Sequence, residues 1–229
     1  TFADSNMGGD LRFYDQAGKI LSYEMDEWNP SSGESTFWVK VDKITPDIKL
    51  FAYWGNETNT TLPSFRTDGS VWSNYAAVWH LSDFSDSSSQ NLVTSSNGSP
   101  ERNATGISGY AMGFDGDSSY LSVNTFNAIT GSNARSIETW IKSDQNESVI
   151  LGWGTTGNRW NFGWNSQGPI VLTENNDGSR QGTGVIGNGE WNHLLLSYPG
   201  NGSDLNSSRL YLNGRLIDAP SSSIDGTVS

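Results

Sequence analysis

Cysteine is missing from this chain of 229 residues. That absence excludes disulfide staples, thiolate metal sites and a cysteine nucleophile, but it does not exclude secretion. Aliphatic residues are scarce as well. With a hydrophobic fraction of 34%, a core has to be filled by a few large side chains. Positive charge is also short, because 13 Lys and Arg face 25 Asp and Glu and leave a net charge of -12. Such a surface repels phosphate backbones and anionic lipid, so no nucleic-acid partner is expected, whereas divalent cations suit it. No apolar run approaches the roughly 20 residues that span a bilayer, so no membrane insertion is expected in this segment. The two histidines, His80 and His193, are flanked by apolar residues and read as structural hydrogen-bonders rather than catalysts. No serine sits in a Gly-X-Ser-X-Gly turn and no glycine-rich phosphate loop joins a strand to a helix. The chain opens at Thr1 without a signal-peptide pattern, as mature protein or an internal fragment would.

What the chain does hold is aromatic residues (12%, with 10 Trp) and 26 Gly among many Ser, Thr and Asn. That mixture builds short strands joined by tight turns, not long helices. Asp10–Asp15 alternates, meets Gln16-Ala17-Gly18, and resumes at Ile20–Glu24, which predicts a hairpin. Further strands are predicted at Phe37–Val41, Lys49–Trp54, Ala76–Leu81, Ala111–Phe114, Tyr120–Val123 and Arg135–Lys142. Val149–Trp153, Arg159–Trp164, Ile170–Thr173, Trp191–Tyr198 and Arg209–Leu212 complete the series. Strand centres about ten residues apart point to a sandwich or jelly roll. The fold class is therefore all-β.

Five marks in order carry a resemblance. They are Ala77-Val-Trp-His-Leu-Ser-Asp-Phe-Ser-Asp-Ser-Ser88, Gly109-Tyr-Ala-Met-Gly-Phe-Asp-Gly116, Ser136-Ile-Glu-Thr-Trp-Ile-Lys142, Glu190-Trp-Asn-His193 and Leu210-Tyr-Leu-Asn-Gly214. Together they resemble the laminin G-like, concanavalin A-type jelly rolls of microbial surface proteins, over roughly residues 76 to 220. The front segment, with Gly9-Asp-Leu-Arg-Phe13, Tyr23-Glu24, Phe37-Trp-Val-Lys-Val41 and Tyr53-Trp-Gly-Asn56, resembles domain of unknown function 2341. The implied organisation is a partial, small antiparallel β domain over 1–62, a connector over 63–75, and a jelly roll over 76–229 that lacks its last strand. The resemblance implies incompleteness at both termini. Either the polypeptide extends further, or a neighbouring chain supplies a strand by β-augmentation at open sheet edges, a route to self-association.

Glycan hydrolysis on such a scaffold needs two carboxylates facing each other across one sheet, roughly 5 to 9 Å apart. The corresponding strand here, Ile137-Glu-Thr-Trp-Ile-Lys142, holds one acid without an alternating partner, so no enzyme is predicted. Glu138 and Trp140 share a strand face and could hold a sugar. A second glycan-binding candidate is the cluster Trp153, Arg159, Trp160 and Trp164, because indoles stack on sugar rings while Arg bonds hydroxyls. Its competing reading is core, since Trp160, Phe162 and Trp164 share one face.

For metal, Ca²⁺ would take oxygen ligands from Asp83 and Asp86 or from Asp115 and Asp117, as the resemblance implies for loop aspartates. The alternative is that these residues only close turns. Seven Asn-X-Ser/Thr patterns, at Asn56, Asn59, Asn97, Asn103, Asn146, Asn201 and Asn206, offer N-glycosylation. With 22 Asn, chance alone supplies about five under that motif.

The leading function class is a non-catalytic binding or adhesion module of a secreted or cell-surface protein, recognising glycan or a surface protein. A structural subunit of a surface filament or envelope layer, assembled by strand exchange, is the alternative. A glycoside hydrolase comes third.

Overall fold

The computed structural model describes residues 2, 7–29, 31–126, 129, 133–155, 158–173, 178–200 and 205–217, with the side chains at 155, 158 and 206 excepted. Among them secondary structure is strand plus three single-turn 3-10 segments, so the all-β expectation holds. The chain divides into two compact units, Thr1–Phe126 and Asn127–Ser229. The division falls well beyond the predicted connector at 63–75, and the strands of residues 95–122 pair only with one another.

In the front unit, β1 (Arg12–Asp15) pairs with β2 (Ile20–Leu21) through the predicted turn. Asp15 closes that turn: its Oδ1 accepts from the amides of Ala17 and Lys19, both at 2.9 Å. β3 (Tyr23–Asn29) and β4 (Glu34–Val39) form a second hairpin, and β5 (Leu50–Tyr53) lies antiparallel to β1 at the edge of the β2-β1-β5 sheet. β6 (Ser95–Asn97) pairs with β9 (Tyr120–Ser122), and β7 (Glu101–Thr105) with β8 (Tyr110–Gly113).

Aromatic rings fill this core because aliphatic side chains are few. Tyr23 is fully buried, its hydroxyl donates to the Leu11 carbonyl at 2.8 Å, and Phe13, Phe37 and Phe65 meet its ring edge-on. The Arg66 guanidinium lies 5.7 Å from the same ring and donates to the Met7 carbonyl at 3.0 Å. Arg12, also buried, donates to the carbonyls of Gly9, Leu11 and Thr61 and to Asn59 Oδ1.

The strand predicted at Ala76–Leu81 does not form. A buried carboxylate organises that segment instead. Asp86 accepts from the amides of Val78 at 2.8 Å, Ser88 at 2.9 Å and Leu92 at 3.0 Å, and from the Ser88 hydroxyl at 2.8 Å. Drawing Val78 into this loop takes its amide away from any ladder.

The back unit is a sandwich of two four-stranded antiparallel sheets. One runs β10 (Arg135–Lys142), β15 (Trp191–Tyr198), β16 (Arg209–Leu212), β17 (Arg215–Leu216). The other runs β11 (Ser148–Thr155), β12 (Asn158–Asn165), β13 (Gly168–Thr173), β14 (Gly178–Gln181). Period-two alternation decides what points inward. Leu194, Leu196, Tyr198 and Leu210 from the first sheet meet Trp160, Phe162, Trp164 and Val171 from the second. Burying a ring of this size contributes roughly 3 kcal/mol or more, so three rings on β12 dominate the core. Edge strand β14 is held by Gln181, whose amide nitrogen donates to the carbonyls of Gly168, Pro169 and Gly182 while its oxygen accepts from Asn165.

A buried guanidinium recurs here. Arg135 stands 5.7 Å from the Trp153 ring, 5.6 Å from Trp160 and 5.5 Å from Tyr198, and Trp153 stacks on Trp160 at 4.5 Å. Burial pushes its pKa below the usual arginine value; an arginine side chain stays charged in proteins. A planar cation suits three ring faces better than an ammonium does. Arg135→Lys should therefore destabilise the back unit by about 1–2 kcal/mol, read as an earlier urea midpoint in tryptophan fluorescence; an unchanged midpoint would dismiss the role of the cage.

Candidate functional site

The outer face of the β10-β15-β16-β17 sheet follows from the same alternation. On β15 the even-numbered residues Asn192 to Tyr198 are buried, which turns Trp191, His193, Leu195 and Ser197 outward. On β10, Ser136, Glu138, Trp140 and Lys142 are exposed. Register then sets Trp140 beside His193, Glu138 beside Leu195, and Leu195 beside Tyr211. The Trp140 ring is 46% exposed and 5.1 Å from the imidazole of His193. Glu138 Oε2 stands 3.9 Å from His193 Nε2, too far for a hydrogen bond but close enough for charge attraction when the imidazole is protonated.

Asn213 fixes His193 from the β16–β17 turn. The His193 amide donates to Asn213 Oδ1 at 2.8 Å, the Asn213 amide donates back to the His193 carbonyl at 2.8 Å, and Asn213 Nδ2 reaches Asn192 Oδ1 at 3.1 Å. These bonds join the Glu-Trp-Asn-His and Leu-Tyr-Leu-Asn-Gly marks in one turn-to-strand clasp. The resulting surface is a two-row ribbon, Trp140 beside His193 and, next to them, Glu138 and Tyr211 on either side of Leu195. Apolar ring faces can stack on a pyranose, and imidazole and carboxylate can bond hydroxyls. Among the described strand residues of this face Glu138 is the sole carboxylate.

The other glycan-binding candidates are not gathered with Glu138 and Trp140. Trp160 is 4% exposed and Trp164 7%, so neither offers a ring face to a sugar; both belong to the core. Trp153 packs on Trp160 beneath the Arg135 guanidinium, and Arg159 is exposed on the opposite sheet. His193, read from sequence as a structural hydrogen-bonder, stands on the ribbon. Its pairing with Trp140 was the signal, recoverable only with the β10–β15 register in hand.

The aspartates spend their oxygens on their own turns. Asp86 accepts four donors, as described above. Asp115 Oδ1 accepts from the amides of Asp117, Ser118 and Ser119 and from the Ser119 hydroxyl, and its Oδ2 accepts from the Ser118 hydroxyl. Those donors, the Asp117 and Ser119 amides first, hold the Asp115 carboxyl far below the usual carboxylate range. Asp83 accepts from the Ser85 amide, and Asp117 is exposed. Bound Ca²⁺ takes six to eight oxygens from carboxylates, carbonyls and water, and the carboxylate oxygens of Asp86 and Asp115 are already engaged by turn donors. No group of three or more His, Cys, Asp or Glu able to hold a metal ion gathers among the described residues.

Of the sequon asparagines, Asn56, Asn59, Asn103 and Asn146 are exposed, and Asn97 is half-buried with its amide on Ser122 Oγ. Asn201 and the side chain of Asn206 lie outside the described residues.

One polar cluster in the front unit was not anticipated. Glu24 Oε1 accepts from the Ser87 hydroxyl at 2.6 Å; its Oε2 accepts from Trp72 Nε1 and, at 3.3 Å, from His80 Nε2. Burial alone would raise the Glu24 carboxyl, but the bonds from His80, Ser87 and Trp72 outweigh it and hold the group below its ordinary value. His80 is stacked on Trp38. This arrangement ties β3 and β4 to the loop around Asp86.

The back unit's two antiparallel sheets have the sandwich architecture that jelly rolls use. Residues 115–227 match the family model of the concanavalin A-like lectin/glucanases superfamily. Residues 7–97 match the domain of unknown function DUF2341, so the two resemblances stand in tandem, in the order the sequence suggested. The front match runs past residue 62 and takes in the Asp86 loop. No curated protein matches the chain.

Two outcomes follow from the aspartates. Burial alone would raise the Asp86 carboxyl, but the amides of Leu92, Val78 and Ser88 hold it below the usual range. Its contribution is present above the unfolded value near 3.9 and is lost as pH falls through the lower folded value. Asp86→Asn should cost about 1.5–3 kcal/mol at neutral pH and flatten the stability loss below about pH 4 in urea melts across pH. Chelation with EDTA followed by Ca²⁺ addition should leave the thermal midpoint unmoved; a rise with Ca²⁺ would show a site that these turns do not explain.

Proposed function

We propose that the chain is a non-catalytic carbohydrate-recognition module of a larger secreted or cell-surface protein. The observation that carries it is the outer ribbon of the back unit: Trp140 and His193 side by side, and in the next row Glu138 and Tyr211 on either side of Leu195. A stacking ring with neighbouring hydrogen-bonding groups is enough to hold a sugar. A retaining or inverting hydrolysis needs a second carboxylate at a fixed separation, and the described strand residues of this face supply one. The superfamily match supports carbohydrate as the ligand class, since lectins and glucanases share that scaffold. Four exposed sequon asparagines are compatible with an extracellular protein.

Because Trp140 is exposed, Trp140→Ala should fold normally and weaken binding of whichever glycan the intact chain captures on an array by at least about tenfold, the loss of one stacked ring. Glu138→Gln should weaken it less. Release of reducing ends from a polysaccharide panel would make the protein an enzyme, and undiminished binding by Trp140→Ala would move recognition elsewhere.

A further inference from the structure

The front unit exposes aromatic rings along one sheet edge, of which Trp54 also meets Phe2 at 5.7 Å. Register places Tyr53 beside Arg12 and Phe51 beside Tyr14, so all four side chains stand on one face of the β2-β1-β5 sheet. Tyr53 is 58% exposed, Trp54 53% and Phe51 42%, in a unit whose core is otherwise built from rings. The Tyr14 and Tyr53 rings meet edge-on at 5.5 Å. Above them opens a cleft of about 1040 Å³, lined entirely by residues 10–59.

The rim of this cleft is positioned by buried polar groups. Asp10, 2% exposed, accepts from the Gly55 amide and so anchors the turn after β5 to the start of β1. Gly55 has φ +90, a backbone that other residues rarely adopt, and the turn sets Trp54 and Asn56 on either side of it. Arg12 orients the Asn59 amide by donating to its oxygen at 3.0 Å.

Charge narrows the ligand. Arg12 is the sole cation among the lining residues, and four of its N–H bonds go to protein acceptors. Asp15 and Glu57, together with Asp10, make the cleft acidic. An anionic ligand would be repelled. A hydroxyl-rich neutral molecule with apolar ring faces would meet both features at once: rings to stack on, and carboxylate and amide groups to bond.

We propose that the cleft over β1 and β5 is a binding site for neutral saccharide, separate from the ribbon of the back unit. Two sources share that chemistry. One is free glycan. The other is an N-linked glycan on the chain itself, because sequon residues Asn56 and Asn59 both line the cleft.

The test uses the full chain, produced without N-glycosylation and carrying Trp140→Ala to silence the ribbon. Neutral oligosaccharides of glucose, mannose and N-acetylglucosamine are titrated, with saturation-transfer NMR and calorimetry as readouts. At least one should bind, and adding Tyr53→Ala or Trp54→Ala should weaken it tenfold or more while circular dichroism and melting stay unchanged. Binding by a chain glycosylated at these sites then separates the sources. Blockage relieved by Asn56→Gln with Asn59→Gln marks the attached glycan as occupant, and unaltered binding marks free glycan. The proposal is overturned if no neutral oligosaccharide binds the Trp140→Ala chain, or if binding ignores Tyr53 and Trp54. It also fails if the chain forms a dimer that Tyr53→Ala dissociates, which would make the face a protein interface. Binding confined to chains with Trp140 intact would end this inference and leave the ribbon's function standing.

Discussion

A buried guanidinium set against aromatic rings recurs in both units. In the front one Arg66 lies over Tyr23, the residue on which Phe13, Phe37 and Phe65 converge. In the back one Arg135 stands among Trp153, Trp160 and Tyr198. A chain poor in Leu, Ile and Val has to fill its cores with rings, and rings leave gaps that flat side chains close well. The guanidinium does so while keeping its charge, because ring faces are negative and carbonyls take its N–H groups. Both the Trp140 ribbon and the β1–β5 cleft stand on sheets whose other face is held in this way.

Ring-filled cores also explain why the two candidate surfaces differ from the core in little but direction. Trp140 and Trp160 are the same residue type on strands of the two facing sheets, and alternation alone sends one to solvent and one inside. The same holds for Phe13 and Tyr14 on β1: Phe13 packs on Tyr23, while Tyr14 lines the cleft. Composition cannot separate a stacking platform from a core residue in such a chain. Pairing register can.

That is where the sequence was legible and where it was not. The strands Arg135–Lys142, Trp191–Tyr198 and Arg209–Leu212 were readable to the residue, because short runs rich in aliphatic and aromatic side chains end at polar turn residues. Strands β6, β7 and β14 were not, since Ser-Ser-Asn, Glu-Arg-Asn-Ala-Thr and Gly-Ser-Arg-Gln carry no such period; backbone pairing and Gln181 hold them instead. Ala76–Leu81 had the right residues for a strand and lost it to the Asp86 carboxylate, a contact from eight residues on that no local pattern signals. Glu138 and Trp140 could be joined from the sequence because they share a strand, whereas His193 could not join them, since both lie more than 50 positions away.

The caged cations bear on how such a protein is made. Cystine would tie the same gaps covalently, but only after an oxidase had acted on the folded chain. A π-bound arginine forms as soon as its neighbours collapse around it, and it comes apart again without chemistry. Neither unit therefore waits on an oxidation step to regain its packing, whatever the redox environment.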